Sequence, residues 1–260
     1  MRVRHSGGMS HRVDEQAAER LGRAVEALYA TFARFGLGRV AGCPHCVGDD
    51  DQRAIRRVPL RQLTGDDLDR YATKAVSTWG DADDLRHFLP RLLELAAQGD
   101  LTADVATVVG KLRPAQWPGW PLDQREAVEA FAGAWWRRTL TMFPAPDDAA
   151  TVLHAVAQAV DDLSPFLSAW LDPPTETAAR HLAAFVDEIA HSVRRRPTGP
   201  VLSGWWPGQP AQLLAWLARP SLRETMENAF FDAGSAHIAA GMSAAVDQLA
   251  WLTARPPEGG

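Results

Sequence analysis

Apolar residues recur at spacings of three and four along almost the whole chain. Leu21, Val25, Leu28, Phe32 and Phe35 make one such face, and Leu68, Tyr71, Ala72, Ala75 and Trp79 make a second. A third is Leu85, Phe88, Leu89, Leu92, Leu93 and Ala96. The pattern returns at Val128, Phe131, Trp135 and Met142, at Val152, Val156 and Ala159, and at Leu182, Phe185, Val186, Ile189 and Val193. Ile238, Met242, Ala245, Leu249 and Leu252 carry it to the C-terminal end. Such spacing puts side chains on one side of an α-helix, and no alternating β-branched run competes with it. The expected fold is all-α with about ten helices, as layered helical pairs (a short HEAT-like α-solenoid) or a closed α-bundle. One domain is expected over residues 13–252, with an irregular loop at 39–63 and disordered tails at 1–12 and 253–260.

Boundary residues sharpen these helices. Thr64 followed by Asp67 is a capping-box analogue, and Gly80 is expected to end the helix they open. Asp81 can cap the next helix, inside which Pro90 predicts a kink or a break. Asp148 is expected to open another helix, and Ser221 with Glu224 makes a further capping box. Residues 197–210, rich in Pro and Gly, read as a long loop. Ala169-Trp170-Leu171 recurs as Ala215-Trp216-Leu217, an offset of 46 residues (216 minus 170). Each copy ends a short helix begun near a proline (Pro165, Pro210) and precedes a Thr or Ser able to cap a longer one. This predicts a repeated helical pair with Trp packed into its hinge.

Composition narrows the function classes. A net charge of −5 and a pI near 5.9 give no general attraction to nucleic acid or anionic lipid. Arg194, Arg195 and Arg196 stand where a helix should end, so the helix dipole accounts for them. No run of 18 apolar residues is present to span a membrane. The polar first twelve residues carry no secretory signal, so a cytoplasmic protein without a disulfide framework is expected. Lys74 and Lys111 are the only lysines and Asn228 the only asparagine, a skew typical of a GC-rich bacterial genome.

The most pointed chemical motif is Cys43-Pro44-His45-Cys46. Three readings compete. Two thiolates two residues apart form half of a tetrahedral zinc site, with His87, an aspartate or another subunit completing it. The same spacing serves thiol redox chemistry, although no βαβ pattern surrounds it, and Asp49, Asp50 and Asp51 are expected to raise a thiol pKa. The third reading is a pair of reduced surface thiols. The candidate metal ligands are thus Cys43, Cys46 and His87, with zinc as the candidate cofactor. His87, Arg91 and Glu94 share one side of their helix, either as a solvated stripe with a weak ion pair or as a face packed under the thiol loop.

The C-x-x-C at 43–46, P-L-R-Q-L-T at 59–64, T-W-G-D at 78–81 and R-H-F-L-P-R-L-L-E-L at 86–95 together resemble a family of uncharacterised bacterial, actinobacterial-type helical proteins. The resemblance covers roughly the first 95 residues, and it implies that these blocks belong together without implying an activity.

Elsewhere the signals are structural. Asp66-Asp67, Asp83-Asp84, Asp147-Asp148 and Asp161-Asp162 lack a D-D-x-x-D pattern and mostly fall in first turns of helices. Zincin, nucleophile-elbow and phosphate-loop motifs are absent. Ten tryptophans, among them Trp135-Trp136 and Trp205-Trp206, cannot all share buried helix faces, so some are expected in loops or an aromatic groove. These features favour a non-enzymatic helical scaffold that binds another protein, with a structural metal at the C-P-H-C knuckle. The alternatives are a small-molecule enzyme with an inter-helical pocket, or thiol redox activity at Cys43 and Cys46.

Overall fold

A computed structural model describes residues 7–172, 175–195 and 204–254. Among them it contains twelve α-helices and no strand. These are α1 (Gly7–Phe32), α2 (Asp49–Ala54), α3 (Gly65–Lys74), α4 (Ala82–Gln98), α5 (Val105–Gly110), α6 (Leu122–Thr141), α7 (Ala149–Ala159), α8 (Ser164–Trp170), α9 (Glu176–Arg195), α10 (Gln209–Leu217), α11 (Pro220–Asp232) and α12 (Ala236–Thr253). Short 3-10 turns lie at Leu60–Gln62 and Trp117–Gly119. The all-α fold follows from the apolar faces: every residue of the third face, from Leu85 to Ala96, is buried. The expected irregular loop at 39–63 contains α2 and a 3-10 turn, and the expected tail at 1–12 is already helical from Gly7. Of the expected C-terminal tail, Thr253 closes α12, while residues 255–260 lie outside the described residues, as do 196–203 of the expected long loop.

Several helix ends behave as their sequence implies. The Thr64 hydroxyl accepts from the Asp67 N–H and the Asp67 carboxylate from the Thr64 N–H, at 3.4 and 2.9 Å. Asp81 accepts from the N–H groups of Asp83 and Asp84 at 2.8 and 3.0 Å, and Asp148 from that of Thr151 at 2.7 Å. Thr175 caps α9 through the Ala178 N–H at 3.0 Å. Ser221 does not cap: α11 opens one residue earlier at Pro220, with Arg219 at the cap and no side-chain bond to it. α4 runs unbroken through Pro90, which is buried, as are Leu89, Leu92 and Leu93. Burial of these neighbours offsets the hydrogen bond that proline cannot make. α3 ends at Lys74, well before Gly80, because Ala75–Trp79 turn back on themselves around Val76 at φ 62°. A β-branched residue there stores strain.

The chain forms two compact units, where the periodicity marks no boundary inside 13–252. The first comprises the residues up to Arg138 with His154–Ala159. In it α1 packs along α4, and α3 against α2, α4 and α5. The second comprises Thr139–Leu153 and the residues from Val160 onward, with α9, α11 and α12 packed together and α10 against α8 and α12. Trp135 and Trp136, which cannot share one helix face, are both buried, so α6 is covered on more than one side. Trp117 and Trp120 are buried as well, so W-P-G-W-P does not line an open aromatic groove.

The second unit holds a buried histidine. His181 donates from Nε2 to the Met142 carbonyl at 2.6 Å and meets Phe143 edge-on at 4.9 Å. Burial pushes its pKa below the ordinary value, against the opposing pull of the Met142 and Thr139 carbonyls. Below a pH of about 6.5 the unfolded chain therefore binds the proton that the folded chain resists, and stability falls as pH drops. Thermal melts between pH 7 and 5.5 are expected to show this loss, and His181→Gln, which keeps a donor but does not titrate, is expected to flatten it.

Candidate functional site

The C-P-H-C turn is assembled from three sequence blocks. The extended residues 39–42 run beside the end of the α3–α4 connection: the Cys43 N–H donates to Thr78 O at 2.9 Å and the Gly80 N–H to Ala41 O at 2.6 Å. Gly42 pairs with Trp79 across this bridge, and a Cβ at Gly42 would stand 3.0 Å from the Cβ of Val47, so the approach leaves no room for a side chain. Gly80 takes φ 75°, which lets the chain turn into the Asp81 cap. Val40, Val47, Ile55 and Trp79 are buried beneath the turn. α2 and the turn after it tie down the approaching segment: Gln52 donates to Val40 O at 2.9 Å and Arg56 to Gly38 O at 2.7 Å.

Within the turn, the N–H groups of Cys46 and Val47 both donate to Cys43 O at 2.9 Å. From α3, the Lys74 ammonium and the Arg70 guanidinium both donate to Cys46 O, the latter at 3.1 Å, and Arg70 also pairs with Asp51 at 3.0 Å. Two cations thus stand beside the turn, while two of the three aspartates are paired, Asp51 with Arg70 and Asp50 with Arg53.

Both cysteines are free and half-exposed. The His45 N–H and the neighbouring Cys46 thiol, with the Lys74 charge, hold the Cys43 thiol below the ordinary pKa. Cys46 is pushed up because it is the donor to Cys43 and faces the charge that forms there. The aspartates expected to raise a thiol pKa are not among the causes; the sequence reading had that sign wrong for Cys43. One thiol is thus poised to ionise and its neighbour to keep its proton, the division of labour that dithiol exchange requires.

His87 lies elsewhere. Its Nδ1 sits 2.7 Å from Phe35 O and its ring stands edge-on to Phe88 at 4.8 Å. Among the described residues no group of three or more His, Cys, Asp or Glu side chains is gathered closely enough to hold an ion, so Cys43, Cys46 and His87 do not form a joint ligand set. The aspartate pairs serve helix ends instead: besides the caps of α3, α4 and α7, Asp162 accepts from the Ser164 N–H at 2.9 Å. No helix of the described residues is long and apolar enough to cross a membrane.

The stripe of His87, Arg91 and Glu94 is neither solvated nor under the thiol turn. It packs toward α1 and the Leu60–Leu63 segment. Arg91 donates to Leu63 O and to Glu94, both at 2.7 Å, and the Tyr29 hydroxyl donates to Glu94 at 2.5 Å. This network escaped the sequence reading because Tyr29 lies 65 residues from Glu94, and no local spacing signals the meeting.

No family model matches the sequence, and no curated protein and no solved structure matches it.

Proposed function

We propose that this helical protein is a dithiol carrier, in which Cys43 and Cys46 exchange with the disulfide of another molecule. The observation that carries this reading is the pair of free, half-exposed thiols in one tight turn, whose Cys46 carbonyl is held by Lys74 and Arg70, with the Cys43 thiol below its ordinary pKa. Reactive cysteines occupy such electropositive, partly exposed places.

In the exchange, the Cys43 thiolate attacks one sulfur of the partner disulfide. A mixed disulfide forms and the first partner thiolate leaves, taking a proton. Cys46 then gives up its proton and attacks the Cys43 sulfur, expelling the second thiolate. The partner gains two electrons and two protons, and the chain is left with a Cys43–Cys46 disulfide. A low-molecular-weight thiol reverses the sequence.

The test is iodoacetamide alkylation across pH 6–9, combined with mass spectrometry after equilibration in glutathione buffers. Cys43 is expected to react severalfold faster than Cys46 near pH 7. Cys46→Ala is expected to slow Cys43, which loses a donor, while Cys43→Ala is expected to speed Cys46, which loses a facing charge. Oxidised glutathione is expected to produce the Cys43–Cys46 disulfide in the native chain and a stable mixed disulfide on Cys43 in Cys46→Ala. Equal reaction of the two thiols at the pH of free cysteine, or stoichiometric zinc in the purified protein, would remove the proposal. Zinc would restore the structural-metal reading, with its other ligands drawn from outside the described residues.

A second reading, docking to another protein, is favoured by Phe230 and Phe231 on α11. They stand edge to face at 5.2 Å, 38% and 81% exposed. Adjacent exposed phenyl rings carry an apolar surface that a partner would cover.

A further inference from the structure

A cleft of about 560 Å³ opens between α1, the Leu60–Gln62 turn and α4. Its walls include Tyr29, Phe32, Phe35, Leu60, His87 and Pro90, so it is mainly apolar and aromatic, and its volume falls within the range of small-molecule sites. We propose that this cleft binds a small planar aromatic molecule that presents one hydrogen-bond donor to His87. The inference is independent of the dithiol reading and uses none of its residues.

The polar atoms around the cleft decide the ligand's chemistry. Arg61 lies flat on the Tyr29 ring, 3.7 Å from its centre, and is held by two 2.7 Å bonds to Glu26. Its charge is therefore already neutralised, and an anionic ligand would have to displace a bidentate carboxylate. The Tyr29 hydroxyl is committed to Glu94. His87 differs. A carbonyl can only accept, so its bond to Phe35 O places the proton on Nδ1 and leaves Nε2 of the neutral ring as an acceptor. The ring is fixed by that bond and by the edge-on contact with Phe88. His87 lines the cleft and no described residue donates to its Nε2, so this acceptor is open to a ligand's donor.

Ligand-observed and protein-observed NMR on the full chain tests this with indole and 1-methylindole as probes. They share shape and apolar area, but only indole carries the N–H. Indole is expected to bind about fivefold more tightly, the ratio one net neutral hydrogen bond gives. The shifts are expected on Phe32, Phe35 and His87. His87→Phe is expected to abolish the discrimination between the probes, and Ala33→Trp, which fills the cleft from an exposed position just after α1, to abolish binding of both. Cys43→Ala is expected to leave indole binding unchanged. Absence of binding by either probe, equal affinities for the native chain, or undiminished binding in Ala33→Trp would each overturn the proposal.

Discussion

Trp170→Ala is expected to destabilise the second unit by about 3–5 kcal/mol, the range for truncating a buried large aromatic. The Trp170 side chain is 1% exposed. It packs against Phe185 at 5.2 Å and Trp216 at 5.4 Å between ring centres, and its Nε1 donates to Ala178 O at 2.9 Å. Truncation opens a cavity at the meeting point of α8, α9 and α10, where two indoles and a phenyl ring supply much of the buried area. A pair of conservative changes separates area from hydrogen bonding. Trp170→Phe loses area and a hydrogen bond, whereas Trp216→Phe loses area alone, since the Trp216 Nε1 has no hydrogen-bond partner among the described residues. Urea denaturation followed by circular dichroism is expected to rank the losses as Trp170→Ala, then Trp170→Phe, then Trp216→Phe. A cost below about 1 kcal/mol for Trp170→Ala would mean that the site collapses onto itself or is not packed as described.

These two tryptophans also mark what the chain makes legible. Their shared A-W-L setting, 46 residues apart (216 minus 170), points to equivalent hinge positions, and both indoles are buried at the ends of short helices that precede longer ones. Thr64, Asp81, Asp148 and Thr175 could be read as caps because a cap is a contact over two or three residues, written in the local sequence. Where a second element intervenes, local reading fails. Periodicity puts Trp135 and Trp136 on different sides of α6 but cannot say that both sides are covered. Three aspartates beside the thiols look set to disfavour the thiolate until Arg70 and Lys74, 24 and 28 residues away, reach Cys46. The C-P-H-C motif is legible in the sequence. The direction in which its two thiols are polarised depends on backbone N–H and S–H groups that only the folded turn aims.

Arg91→Ala is expected to cost the first unit about 2–4 kcal/mol, because it leaves a mostly buried carboxylate without its cation. The helical spacing of Arg91 and Glu94 alone would make this a surface pair worth a few tenths of a kcal/mol. In the folded chain their side chains are only 14% and 20% exposed, and Arg91 also satisfies Leu63 O. Glu94 in turn accepts from Tyr29, whose phenol is pushed far above its ordinary pKa by burial and by that carboxylate. Removing the guanidinium strands Glu94 and Leu63 O together, whereas removing both charges need not. The double variant Arg91→Leu, Glu94→Leu is therefore expected to recover much of the loss, with Tyr29 then changed to Phe so that no phenol is left unpaired. Chemical denaturation of the single, double and triple variants measures the coupling directly. A solvated stripe would give costs near zero and additive throughout; a buried network gives a large single cost and strong non-additivity. The exposures and the three converging hydrogen bonds favour the second outcome. Tyr29, which this network holds through Glu94, also lines the aromatic cleft.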